Sequence, residues 1–166
     1  MGVELTIEEP AWGGIAFNVI ADRALAAAFK EMGLDAEFCE LSLLACADAA
    51  IADLNAEFRG KPVATNVLSW PAYELGPEVE GGVPARPKAD PTGEIVLGDI
   101  AIAYQTCARE AAAAGKPLEA HVSHLIIHGF LHLLGFDHIR DGDAARMEAL
   151  EAKILGTMGF DDPYRE

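Results

Sequence analysis

"HGFLHLLGFDH", residues 128–138, is the stretch on which the reading of this chain turns. His128, His132, Gly135 and His138 fall on positions of the zinc-hydrolase pattern H-E-x-x-H-x-x-G-x-x-H. In that pattern three histidines hold the metal and the glutamate works the water. Gly129 stands where the glutamate belongs. On an α-helix, residues four apart share a face about 6 Å up the axis, so His128 and His132 can point at one ion. The helix must then stop so that the chain can return with a third ligand. Gly135 supplies the stop because it tolerates a left-handed backbone, and His138 closes the triad. Three neutral imidazoles with an open position make a catalytic rather than a structural zinc site.

Two more histidines precede the motif. His124 falls on the ligand face by the four-residue rule, and His121 about 60° from it. Either is a candidate fourth ligand, a cleft-lining group or a packing residue. Asp137 could orient a ligand or accept a proton. In a tight turn it could equally bond nearby backbone N–H groups.

The rest of the chain bounds these readings. With 166 residues and 51% of them hydrophobic, it reads as one domain over 1–166 that buries a core without staples. A metal is therefore expected to serve function rather than to be a condition for folding. The longest apolar stretch, "GGIAFNVIADRALAAAF", is broken by Asp22 and Arg23, so no membrane span is expected. "MGVELTIEEP" lacks the positive start and apolar run of a secretory signal. Cys39, Cys46 and Cys107 stand at unrelated spacings and read as buried free thiols of a reducing cytoplasm. The net charge of −15 argues against nucleic-acid binding through the overall field. From Lys116 to Arg140, however, two basic residues balance two acidic ones, so the motif lies in a less acidic part.

Periodicity supplies the elements. "VELTIEE" alternates and reads as a strand ended by Pro10; a helix follows from Trp12 to Met32, with Gly33 as its stop. "AEFCELSLL" is a second strand, Asp48 can cap a helix running to about Phe58, and "TNVLSW" is a third strand. Residues 71–93 contain five prolines and four glycines and predict a long mobile loop. "EIVLGDIAIA" resumes as a strand, with Gly98-Asp99 marking a bend or a close backbone approach. Helices are then expected over Gln105–Ala114, from Pro117 to Gly135, and from about Asp141 to Gly156–Gly159. The order β-α-β-α-β-loop-β-α-α-α predicts an α+β fold: a small mixed sheet packed against helices, with a zinc-hydrolase-like site at the end of a helix in the C-terminal half.

The motif resembles the signature of the YbeY family, bacterial endoribonucleases of ribosomal RNA maturation, which runs H-G-x-L-H-L-x-G-[YF]-D-H. "FRGKPVATNVLSWP", residues 58–71, is similar to the family's arginine followed by T-[DN]-V-L-S-F, with Trp70 in place of the usual phenylalanine. "LGDIAI", residues 97–102, is similar to the strand before the family's helical half. The resemblance implies one zinc ion on His128, His132 and His138, and a functional Arg59. A guanidinium can hold a phosphate through two parallel hydrogen bonds and offset charge developing on it. Lys61 could add a point charge, and Arg59 and Lys61, with His124, are the candidate substrate-binding residues.

The expected activity is a metal-dependent, single-strand-specific endoribonuclease acting in 16S rRNA maturation, ribosome biogenesis and ribosome quality control. Peptide hydrolysis must protonate a poor amine leaving group, which the glutamate does. RNA cleavage can begin with the neighbouring 2′-hydroxyl, or with a zinc-bound water whose pKa falls toward about 7. The missing glutamate thus weighs more against a protease than against a nuclease, and Asp137 could stand in for it. The expected partners are single-stranded RNA and the ribosomal small subunit with its proteins, in the cytoplasm, with no DNA and no membrane. Two other classes fit the motif: a zinc hydrolase of a non-RNA substrate, and a ribosome-assembly factor whose zinc is mainly structural.

Overall fold

The alternating runs of the sequence pair into a four-stranded sheet in the computed structural model, which describes residues 2–164. The strands β1 (Gly2–Ile7), β2 (Cys39–Cys46), β3 (Val67–Pro71) and β4 (Ile95–Ala103) stand in the order β1-β2-β4-β3. β1, β2 and β4 run parallel, and β3 is an antiparallel edge. Parallel neighbours need a crossover, and the helix α1 (Phe17–Glu31) provides it between β1 and β2. The other helices are α2 (Asp48–Arg59), α3 (Tyr104–Ala114), α4 (Leu118–Leu133) and α5 (Asp141–Thr157). The α+β class and the order of elements expected from periodicity are both observed.

The two faces of the sheet are filled by alternate residues. Leu41, Leu43 and Ala45 of β2 join Ile100 and Ile102 of β4 in the main core. Cys46, Ala101 and Ala103 face the other way, under Ile51 of α2. Leu97 breaks the alternation yet belongs to the main core. A bulge explains this: Glu40 pairs with Val96 and Leu41 with Gly98, so Leu97 is the extra residue. Gly98 has φ 134°, and a Cβ there would lie 2.1 Å from the Trp70 carbonyl oxygen. The Gly98-Asp99 step is therefore the close approach that its sequence suggests.

α4 is the central element, packed against α1, α3, α5, β3 and β4. Val122, Ile126, Ile127, Phe130 and Leu131 are fully buried. Each such side chain contributes about 1.5–3 kcal/mol of hydrophobic stabilisation. A helix apolar on nearly every side is held in one rotational setting by its surroundings, and this aims its histidine stripe.

Three sequence expectations change. The helix expected from Trp12 divides into a 3-10 turn (Pro10–Ile15) and α1, with Ala16 left-handed at φ 53° between them. Trp12 is responsible: it is fully buried, and its Nε1 donates to the Cys46 carbonyl at 3.0 Å, which fixes the turn to the end of β2. Asp48 does not cap α2; the cap position is Ala47, and the Asp48 carboxylate instead accepts from the Thr106 backbone N–H and hydroxyl, both at 2.9 Å.

The third change concerns the segment after β3, which is irregular but fastened rather than free. Arg140 donates to the carbonyls of Glu78 and Pro77 at 3.2 and 3.0 Å. Asp143 accepts from the Gly81 N–H at 2.8 Å, and Arg146 donates to the Gly81 carbonyl at 2.9 Å. Glu80 accepts from the Gly142 N–H at 2.8 Å. The start of α5 thus acts as an anchor for the loop. Periodicity could not show this, because the anchoring groups lie about 60 residues away in sequence.

Candidate metal centre

The stripe His121, His124, His128, His132 runs along α4, and only its C-terminal end converges with another histidine. One ring nitrogen from each of His128, His132 and His138 lies within 4.8 Å of the others. The Nε2 atoms of His128 and His132 are 3.0 Å apart. Two ligands about 2.0–2.1 Å from a shared tetrahedral ion stand about 3.3 Å apart, so this spacing fits one ion.

The far sides of these rings are occupied. His132 Nδ1–H donates to the Phe136 carbonyl at 2.9 Å, which leaves Nε2 with its lone pair toward the cluster. Burial, with His128 and His138 close by, holds the His132 pKa down at about 4, so the ring is neutral at pH 7. His128 Nδ1 faces Glu151 Oε1 of α5 at 3.2 Å. Burial works to raise the Glu151 carboxyl, but the hydrogen bonds from His124 and His128 override it and hold the pKa down at about 2. A donor set of three imidazoles, with Nδ1 engaged on two of them, suits a divalent ion of the zinc type.

The turn that brings His138 round depends on Gly135, at φ 99°; a Cβ there would come within 2.7 Å of the Leu75 carbonyl carbon. Two demands meet at this residue, a left-handed helix stop and room for the loop after β3. Asp137 Oδ1 accepts from the His138 backbone N–H at 2.7 Å, which steadies the backbone at the third histidine. Gly129, at the protease-glutamate position, does not face the cluster. A Cβ on it would meet Ile100 Cγ2 at 3.1 Å, so the position points into the helix–sheet interface.

Sequence comparison places this geometry in a family. The profile described as Endoribonuclease YbeY matches residues 13–159. The endoribonuclease YbeY of Ruegeria pomeroyi is 60% identical over 164 residues, covering 99% of this chain and 98% of that protein. The chain belongs to the YbeY family. The endoribonuclease YbeY of Dinoroseobacter shibae is 54% identical over 162 residues, covering 98% of this chain and 90% of its own length. The solution structure of a Thermotoga maritima protein shares the fold, with a TM-score of 0.56 at 19% identity and 99% of both chains covered. Family membership and the three-histidine cluster thus agree with the reading of residues 128–138.

The other candidate residues lie at the end of α2, in the turn after it and on α4. Arg59, at the end of α2, donates through Nη2 to the Ser69 carbonyl of β3 at 3.0 Å and makes no ion pair among the described residues. Lys61 is exposed, and its ammonium has no partner among the described residues. His124 turns its Nε2 to Glu151 Oε1 at 2.7 Å and to the Tyr164 hydroxyl at 3.2 Å. His121 pairs with Glu110 of α3 at 2.9 Å. The three cysteines are buried and free, and burial first of all pushes the Cys46 and Cys107 thiols up.

Glu151 and Tyr164 escaped the sequence reading. One signal for Glu151 was present: it interrupts the stripe Met147, Glu151, Ile154 on the inner face of α5, where an apolar residue is expected. No such signal marks Tyr164, which reaches Glu151 from beyond the last helix.

Proposed function

We propose that the chain is a metal-dependent endoribonuclease that cuts single-stranded RNA, with one zinc ion on His128, His132 and His138. The observation that carries this reading is the convergence of the three imidazoles in a chain of an endoribonuclease family. A divalent ion held there would act as a Lewis acid and lower the pKa of a bound water. The chain's own groups do the rest. Phe136 and Glu151 hold the His132 and His128 rings in one tautomer, and Asp137 holds the His138 backbone. Asp137 Oδ2 makes no hydrogen bond among the described residues, which supports a second role in accepting a proton from the attacking oxygen.

Arg59 is the group for the scissile phosphate. One N–H is spent on Ser69, and the remaining guanidinium donors meet no carboxylate among the described residues. That leaves them for phosphate oxygens, and a positive charge there offsets the charge that builds as the phosphorus becomes five-coordinate. Lys61 adds a point charge two residues on, and His124 stands beside the same helix face as the ligands. With a net charge of −15, bulk attraction of RNA is weak. Recognition therefore rests on the site and on protein partners. The small ribosomal subunit, with 16S rRNA maturation, ribosome biogenesis and ribosome quality control in the cytoplasm, is the setting that suits a weak, unselective cutter. No helix among the described residues is long and apolar enough to cross a membrane.

The test is cleavage of a single-stranded RNA oligomer by nuclease-free protein, comparing the native chain with Arg59→Glu and His132→Ala. Loss of cutting in both variants, with the fold intact by circular dichroism, supports one centre made of metal and arginine. Equal cutting by all three proteins overturns it.

A further inference from the structure

Glu151 is a carboxylate with no solvent exposure, placed on the apolar face of α5 between Met147 and Ile154. Nothing in the packing of that face calls for a charge, and burying one is costly unless its oxygens are fully bonded. The groups that bond it are His124 Nε2 at 2.7 Å, His128 Nδ1 at 3.2 Å and the Tyr164 hydroxyl at 3.1 Å. Of these, only His128 also presents its other ring nitrogen to the three-histidine cluster. A ring whose Nδ1–H is committed to a carboxylate has its lone pair on Nε2, aimed at the ligand position.

We propose that Glu151 is the positioning carboxylate of the metal centre, fixing the tautomer and orientation of His128, with His124 and Tyr164 holding it in register. The inference rests on the metal-centre reading and extends it to residues outside the three-histidine cluster. His124 and Tyr164 meet the same Oε1 as His128, and the Tyr164 hydroxyl also reaches Oε2, so both hold the carboxylate against the His128 ring. The stretch after α5 is thereby part of the metal site, because Tyr164 closes over Glu151 from outside the last helix.

The experiment uses the full chain and two readouts. The first is zinc affinity by competition with a chromophoric chelator. The second is the tautomer of His128, from the nitrogen chemical shifts of its ring in zinc-free protein. Glu151→Leu fits the apolar stripe but removes the acceptor. It is expected to lose about 10–100-fold in zinc affinity and the Nδ1–H preference of His128. Glu151→Gln keeps an acceptor oxygen without the charge and is expected to keep the tautomer with an intermediate loss of affinity. Tyr164→Phe leaves the contact to His128 and is expected to keep most of the affinity.

A folded Glu151→Leu protein with native zinc affinity and native tautomer overturns the proposal. If that variant does not fold, native affinity in Glu151→Gln overturns it instead. A native chain that takes up no zinc removes the metal-centre reading and this inference together. Native uptake with unaffected variants removes this inference alone.

Discussion

Gly129 is packed onto Ile100: a Cβ on the glycine would lie 3.1 Å from Ile100 Cγ2 and 3.4 Å from Cδ1. The residue that separates this motif from a zinc protease thus occupies the contact between α4 and β4. A glutamate there would put its carboxylate into the sheet interface, away from the three imidazoles. Gly129→Glu is accordingly expected to lose about 3 kcal/mol or more of stability in a urea titration, and to gain no peptidase activity. Gly129→Ala is expected to fall within about 1–2 kcal/mol of the native chain, because helix propensity offsets the crowding. A stable, protease-active glutamate variant would show that the position faces the metal after all.

Gly135 carries both the helix stop and the packing of the loop after β3. An alanine there must adopt φ 99° and press on Leu75. Gly135→Ala is expected to cost about 1–3 kcal/mol in thermal unfolding and to weaken zinc binding through the misplaced His138. Unchanged zinc affinity in a destabilised variant would separate the turn from the site.

Acid should detach the loop before it disrupts the core. The Gly81 N–H and the Arg140 guanidinium hold the Asp143 carboxyl below the usual carboxylate range. A group depressed in the folded state stabilises fully above its unfolded pKa of about 3.9, and the contribution fades as pH falls through the lower folded value. The melting-temperature gap between the native chain and Asp143→Asn is therefore expected to be constant above about pH 5 and to close below about pH 4. A gap independent of pH would assign the effect to shape rather than charge.

Arg59→Lys tests whether the planar fork matters. Lysine keeps the charge but cannot hold both the Ser69 carbonyl and a phosphate with fixed geometry. Removing a group that stabilises developing charge costs about 100–1,000-fold in turnover, and Arg59→Glu is expected to meet or exceed that in RNA cleavage. Arg59→Lys is expected to fall between it and the native chain. Parity of lysine with arginine would reduce the role to a point charge.

Trp70 offers a stability test away from the histidine cluster. Its Nε1 is buried with no hydrogen-bond partner among the described residues, while its ring meets Phe58 at 5.6 Å between centroids. Trp70→Phe removes the unmet donor, worth about 1–3 kcal/mol, while giving up part of the apolar area. The two effects oppose each other, and the variant is expected to unfold within about 1 kcal/mol of the native chain. A loss above about 3 kcal/mol would mean that the indole N–H has a partner in solution.

Much of this architecture is local chemistry and was open to reading from residues alone. Alternation and helical spacing are short-range, so each strand and helix core was visible. The His128–His132–Gly135–His138 set was visible because helix geometry and a glycine stop act within eleven residues. The misreadings share one cause, which is a partner far away in sequence. Trp12 splits a helix because it bonds Cys46, and Asp48 leaves its cap because Thr106 and Arg109 claim the carboxylate. The loop after β3 looked free because its anchors are Arg140, Asp143 and Arg146.

The metal centre divides the same way. Local spacing along α4 and the turn after it was enough to select three imidazoles and to bring them to one point. Which nitrogen His132 presents is local too, because Phe136 closes back on it four residues later, whereas for His128 it is a tertiary contact that decides: α5 carries Glu151 under the ring. Why Gly129 is a glycine was decided by β4, through Ile100. Ligand spacing and the His132 tautomer are properties of one helix and its stop, whereas the His128 tautomer and the burial of the site belong to whatever the fold packs against it.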